Sequence, residues 1–174
     1  VADLAANNST IAVTFSEAVY NTTGGSGALE ADDFALSISG GTATVSSATP
    51  TSISANGNVY TLGIGLSDFP DGSEVLTVVP VNNGIYDVAG NEASTTQSNN
   101  TATLNDQLLP TITGVALAEN NSTIAVTFSE AVYNNDDGSG ALLRTDFALS
   151  ISGGTATVSS ATPTSISANG NVYT

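Results

Sequence analysis

The sequence predicts an all-β protein, an antiparallel β-sandwich present as one whole copy followed by part of a second. Three observations lead there. Short segments alternate apolar and polar residues with the two-residue period of a half-buried strand. Gly, Asn, Asp and Pro interrupt those segments at close intervals. A stretch of 53 residues, Ser9 to Thr61, recurs without a gap as Ser122 to Thr174.

The repeat sets the organisation. The two stretches differ at six positions: Thr22, Thr23, Gly24, Glu30, Ala31 and Asp32 become Asn135, Asp136, Asp137, Leu143, Arg144 and Thr145. Their clustering marks a variable surface loop and its far shoulder. The offset of 113 residues extends upstream through the pairs Leu4/Leu117, Ala5/Ala118, Asn7/Asn120 and Asn8/Asn121. That period is too long for a solenoid unit of roughly 20 to 47 residues and suits a sandwich domain of about 100. Asn105-Asp106-Gln107 before Leu108-Leu109-Pro110 is linker chemistry, since proline leaves a central ladder and stiffens an extended connection. The expected division is therefore a first repeat over 1–107 and a partial second over 108–174. Continuation of the second copy beyond Thr174 is the preferred reading over borrowed strands.

Ile11, Val13 and Phe15 share one face of the first clear strand, and Phe34, Leu36 and Ile38 repeat the pattern before Gly40-Gly41 permits a tight reversal. Thr42 to Ala48 is the next candidate. Val59 to Leu66 follows, with Tyr60, Leu62, Ile64 and Leu66 inward, then Glu74 to Val79 and Thr101 to Leu104. A strand near the N-terminus brings the whole copy to about seven. Turns fall at Asn56-Gly57, Pro70-Asp71-Gly72 and Asn82-Asn83-Gly84. Gly63 and Gly65 are read as a flat outer face, with a bulge or a close approach of the neighbouring domain as alternatives. No stretch holds a 3.6-residue period over three turns, and the Val, Ile and Thr content suits strands.

Sixteen acidic residues face one base, Arg144, for a formal net charge of -15. Such a surface repels phosphate backbones and anionic lipid, which argues against nucleic acid and membrane insertion. Without lysine the carboxylates lack local ion pairs, so a bound divalent cation is one way to relieve their repulsion. The chain contains no His and no Cys, so a Ser-His-Asp or Cys-His arrangement cannot be built and the ligands favoured by soft metals are missing. There is no Trp to stack on sugar, and Glu17 and Glu130 are copies of one repeat position, so an enzyme is not expected. Gly24-Gly25-Ser26-Gly27 lacks the Lys of a phosphate cradle and reads as a loop. Tyr20 and Tyr133 read as core or rim residues.

Hard-cation binding is the chemistry these residues could support, because calcium takes six to eight oxygens in irregular geometry. Glu17, Asp32-Asp33, Asp68, Asp71, Asp87 and Asn91 supply oxygens in the first copy, but no run matches an EF-hand, so any site draws on separate loops. Structural duties compete: Asp71 as a turn residue, Asp87 capping its own turn, and Asp33 and Asp146 tying the start of the strand that follows each. Asp136-Asp137 reads as a solvated acidic loop.

The segments STIAVTFSEAVYN (Ser9 to Asn21, Ser122 to Asn134), DFALSISGG (Asp33 to Gly41, Asp146 to Gly154), IYDVAGNEAS (Ile85 to Ser94) and TLNDQLLPTITGV (Thr103 to Val115) resemble tandem bacterial Ig-like repeats of large secreted surface and adhesin proteins. The resemblance covers essentially the whole chain. It implies an Ig-like sandwich at the cell surface or outside the cell, used as a spacer or stalk and often rigidified by calcium. In an Ig-like topology the loop after the second strand and the loop before the last share one pole, which puts Glu17 and the Asp87/Asn91 turn at one end of the domain. The resemblance adds Asp106 with Glu130 as an interdomain pair, so the metal candidates are Glu17, Asp87, Asn91, Asp106 and Glu130. The linker has one acidic residue where cadherin-like linkers commonly have more, which argues against several ions.

The function expected is a non-catalytic structural spacer, with neighbouring repeats of the same chain as partners. Two alternatives stand beside it. One is a repeat that itself binds a surface, glycan or protein ligand through the loop at 22–32 and 135–145. The other is a strand-exchanging subunit of an extracellular filament.

Overall fold

A computed structural model describes residues 2–174. The chain divides into two compact units, Val1–Leu108 and Leu109–Thr174. Both are all-β with antiparallel pairing. The helical turns among the described residues are two short 3-10 turns, Ala31–Asp33 and Arg144–Asp146, so no helix is long and apolar enough to cross a membrane.

Unit 1 holds β1 (Ala2–Leu4), β2 (Thr10–Thr14), β3 (Phe34–Ser39), β4 (Ile53–Asn56), β5 (Val59–Gly63), β6 (Val75–Pro80) and β7 (Thr101–Thr103). They form a four-stranded sheet ordered β1-β2-β5-β4 and a three-stranded sheet ordered β3-β6-β7. Alternation fixes the registers: Ile11 faces Leu62 and Val13 faces Tyr60 in the first sheet, while Leu36 faces Val78 and Ile38 faces Leu76 in the second. Each sheet turns its apolar face to the other, and Ile11, Leu62, Phe34, Leu36, Leu76 and Val78 join one core, none more than 2% exposed. A two-sheet sandwich is the arrangement that buries both faces at once. Phe15, Phe34 and Tyr60 close one side of that core with ring centroids 5.7 to 6.2 Å apart.

Two strand expectations are corrected. Thr42 to Ala48 makes only an isolated bridge, Val45 to Leu66. The segment changes partner as it crosses from one sheet to the other: Ser67 N donates to Thr44 O and Ser46 N to Gly65 O, but Leu36 N donates to Ala48 O. The N–H groups of Thr42 and Ala43 go to the Glu74 carboxylate instead. Ile53–Asn56, by contrast, is the edge strand of the first sheet, paired with Val59–Leu62 across a two-residue reversal at Gly57-Asn58. Its single large apolar residue hid it. The face carrying Gly63 and Gly65 is not a flat outer face either. A Cβ on Gly63 would lie 2.3 Å from Thr51 Oγ1, and one on Gly65 would lie 2.3 Å from Ser46 Oγ, so Ser46, Thr51 and Ser52 leave no room for a side chain at either glycine.

Among the described residues, two polar side chains are buried completely. Glu74 accepts N–H bonds from Thr42, Ala43 and Asp71 at 2.9 to 3.0 Å. Asn8, held in the left-handed region at φ 56°, donates through Nδ2 to Asn105 O at 2.7 Å and accepts Asn105 N at 2.9 Å. This pair ties the start of β2 to the segment leaving β7, so the two ends of the sandwich's chain path are fastened to each other.

Unit 2 holds β8 (Ile112–Leu117), β9 (Ile124–Phe128), β10 (Ala168–Asn169) and β11 (Val172–Tyr173) in one sheet ordered β10-β11-β9-β8. It repeats the first sheet of unit 1, with a register shift between Ile112 and Gly114. Residues 147–152, identical in sequence to β3, form no strand. β3 is a strand because β6 lies beside it, and the sequence contains Val75–Pro80 once.

Candidate functional site

Four of the predicted metal residues belong to unit 1, and three of them line one cleft there. β2 ends at Thr14, and the chain then bends through Ser16-Glu17 to Val19, whose side chain enters the core. Tyr20 and Tyr86 exchange backbone bonds of 2.7 and 2.8 Å, which fastens this loop to the Ile85–Asn91 segment. Glu17, Asp87, Asn91 and Glu92 thereby come to line an open cleft of about 620 Å³, with Phe15 and Phe34 among its apolar lining residues.

The Asp87–Asn91 turn is closed by its own groups. Asp87 Oδ1 accepts Asn91 N at 2.8 Å, Oδ2 accepts Asn91 Nδ2 at 2.8 Å, and Asp87 N donates to Asn91 O at 2.9 Å. These bonds, the side-chain amide first and the backbone N–H second, hold the Asp87 carboxyl below its ordinary value. Gly90, at φ 86°, meets the variable loop, since a Cβ there would lie 2.8 Å from Thr23 O. Glu92 accepts the Asn83 N–H through Oε1.

Asp106 lies at the other end of unit 1. Its Oδ1 accepts Leu108 N at 2.9 Å, and it follows Asn105, which is fastened to Asn8 ahead of β2, whereas Glu17 follows the far end of β2. Five strand residues separate the two ends, about 17 Å. Glu130 belongs to unit 2, in the position that repeats Glu17. The five candidates therefore do not gather around one point within either unit, and among the described residues no three acidic side chains form a ready metal-ligand group. Both Asp87 carboxylate oxygens are already bonded to Asn91, and Glu92 Oε1 to Asn83 N.

Four further aspartates, Asp33, Asp71, Asp137 and Asp146, serve local turns. Asp33 Oδ2 accepts Glu30 N at 2.7 Å, and Asp146 Oδ2 accepts Leu143 N at 2.8 Å, the same tie in both copies despite the Glu30/Leu143 difference. Partial burial raises the Asp33 carboxyl above its ordinary value, against the lowering effect of the Glu30 N–H. Asp71 Oδ1 accepts the Ser73 hydroxyl and the Ser73 N–H, the latter at 2.9 Å, and these bonds lower its carboxyl. In the variable loop, Asp137 accepts Ser139 N at 3.0 Å, so the aspartate that replaces Gly24 closes a turn. Tyr20 is half-buried and Tyr133 is exposed.

Comparison with protein-family models, with curated proteins and with solved structures finds no match.

Proposed function

We propose that this chain is a stretch of tandem Ig-like repeats acting as a non-catalytic spacer or stalk in an extracellular bacterial surface or adhesin protein. The supporting observation is that the near-identical sequence reproduces an aromatic cluster and local turns. The Phe15–Phe34–Tyr60 triad recurs as Phe128–Phe147–Tyr173, with centroids 5.8 to 6.4 Å apart, and Asp33, Asp71, Asp87, Asp137 and Asp146 close turns of their own backbone. The pairing of a four-stranded with a three-stranded sheet over one core agrees with an Ig-like sandwich. Calcium belongs to this reading as a brace at the Glu17–Asp87–Asn91 cleft, completed by groups from a neighbouring repeat.

The test is small-angle scattering on chains of one, two and three whole repeats, each in calcium and in chelator. A spacer gains a constant increment of roughly 40 Å in maximum dimension per repeat, the span of a domain of this size. A dimension that stops growing after two repeats rules the spacer out. An increment that lengthens in calcium identifies the brace, and equal increments remove calcium from the reading.

A second reading, a repeat that itself binds a surface, glycan or protein, is favoured by one observation. All six differences between Ser9–Thr61 and Ser122–Thr174 fall in 22–32 and 135–145, and residues 23 and 25 of that loop lie beside the Asp87–Asn91 turn in unit 1.

A further inference from the structure

The chain leaves unit 1 through Leu104–Leu108, and that stretch is bonded back to the unit as far as its last residue. Leu104 N donates to Glu74 O at 2.9 Å, Asn105 N to Asn8 Oδ1 at 2.9 Å and Gln107 N to Pro70 O at 2.8 Å. Leu108 N is shared between Pro70 O at 3.1 Å and Asp106 Oδ1 at 2.9 Å. Asp106 also packs on the turn that carries Pro70. A Cβ on Gly72, whose φ is 83°, would lie 3.2 Å from Asp106 Cβ.

The turn itself is held from inside. Pro70 is fully buried, and so is Glu74, which bonds the structure in two directions. Its backbone carbonyl takes Leu104 N, while its Oε2 takes Asp71 N at 3.0 Å, next to the Pro70 carbonyl that anchors Gln107 and Leu108. Its Oε1 is fixed by the N–H groups of Thr42 and Ala43. Buried bonds to a charged acceptor are strong and little screened by salt. The anchor of the exit segment is therefore built on a carboxylate out of reach of the solvent.

The next bonds along the chain belong to unit 2, where Ser129 N donates to Thr111 O at 2.8 Å and Thr111 N to Ser129 Oγ at 2.9 Å. Leu109 and Pro110 stand between the two anchors, and the proline ring fixes its own φ. Asp106 has the linker position in which the resemblance implies a calcium ligand, but its Oδ1 is committed to a backbone N–H. Closing such a turn needs an oxygen two residues back and not a negative charge, so asparagine can do it as well.

We propose that the exit segment of unit 1 is kept rigid through Leu108 by hydrogen bonds alone, without a metal. Asp106 closes the segment on itself, and Glu74 is the positioning residue that acts through the Pro70–Glu74 turn. The stretch that can pivot starts at Leu109. This deepens the spacer reading, because a stalk needs order where one repeat hands the chain to the next. Its test reads residues of unit 1 only, so it can fail while the increments in scattering hold, and the reverse.

The test is nitrogen-15 relaxation on the labelled 174-residue chain, in calcium and in chelator. Order parameters at Gln107 and Leu108 should be about 0.85 in both, like those of β5 and β6. Asp106→Asn should leave them unchanged, because the amide oxygen accepts the same N–H, although a calcium ligand would have lost its charge. Asp106→Ala should lower the value at Leu108 and speed its amide exchange about tenfold. Glu74→Gln, keeping its carbonyl on Thr42 and Ala43, turns a donor toward the N–H of Asp71. It should lower Gln107 and Leu108 to below about 0.6 while β5 stays near 0.85. Order that appears only in calcium, equal losses in Asp106→Asn and Asp106→Ala, or a folded Glu74→Gln chain with Gln107 and Leu108 as ordered as before would each overturn the proposal.

Discussion

The Glu74 carboxylate stands where the side chain of residue 41 would begin, so Gly41 is glycine for two reasons at once, its left-handed φ of 55° and the absence of room. Glu74→Ala leaves the N–H groups of Thr42, Ala43 and Asp71 without their buried acceptor. It should cost roughly 2 to 4 kcal/mol, because bonds to a charged group are worth about 1.5 to 3 kcal/mol each and part is regained from water. Urea unfolding of unit 1 checks this.

The repeat supplies its own control for the glycine. Gly41→Ala should destabilise by roughly 2 to 4 kcal/mol through clash and backbone strain together, whereas Gly154→Ala meets no neighbour and should cost only the strain, about 1 kcal/mol. Equal costs at the two positions, measured by the same unfolding series, would show that Glu74 does not set the first.

Asn8 and Asn121 form the same kind of pair. Both have positive φ, 56° and 58°, but only Asn8 is buried and bonded to Asn105. Asn8→Ala should cost roughly 2 to 3 kcal/mol and speed amide exchange at Asn105, while Asn121→Ala should cost about 1 kcal/mol.

The carboxyls predict opposite pH dependences. Asp87 and Asp71 are lowered from the ordinary 3.8 by hydrogen bonds to the ionised form. Their turns therefore contribute stability that is present above that value and lost as pH falls through the lower folded values. Asp33 is raised by burial, so its contribution is fully present below 3.8 and is lost as pH rises through its higher folded value. Carboxyl-carbon NMR titration should place Asp87 below and Asp33 above 3.8, and Asn91→Ala should bring Asp87 back toward it.

Much of this was legible in the residues. The two-residue period placed Ile11, Leu36, Tyr60 and Leu62 inside, and the same period, carried back one step from Leu76, also places Glu74 on the buried face. A charged residue there beside Gly40-Gly41 was a signal for the clamp. Asn56-Gly57 likewise marked a hairpin, and a hairpin requires the strand before it, Ile53–Asn56, whatever its polarity. Asn8 gave no such signal, because its partner lies 97 residues away. Thr42 to Ala48 misled because alternation reports exposure of side chains, and the backbone partners of that run are divided between two sheets. Glu17 and Asp87 were placed at one cleft by topology, but the bonds that commit Asp87 to Asn91 depend on the local turn.

Residues 34–39 and 147–152 have one sequence and two structures, and the presence of β6 beside the first is the cause. Native-state hydrogen exchange on the whole chain tests this most directly. Ala35 and Ser37 should be protected to nearly the full unfolding free energy of unit 1, while Ala148 and Ser150 should exchange close to the rate of an open chain. Equal protection at the two sites would contradict it, because the strand would then be set by its own residues and not by its partner.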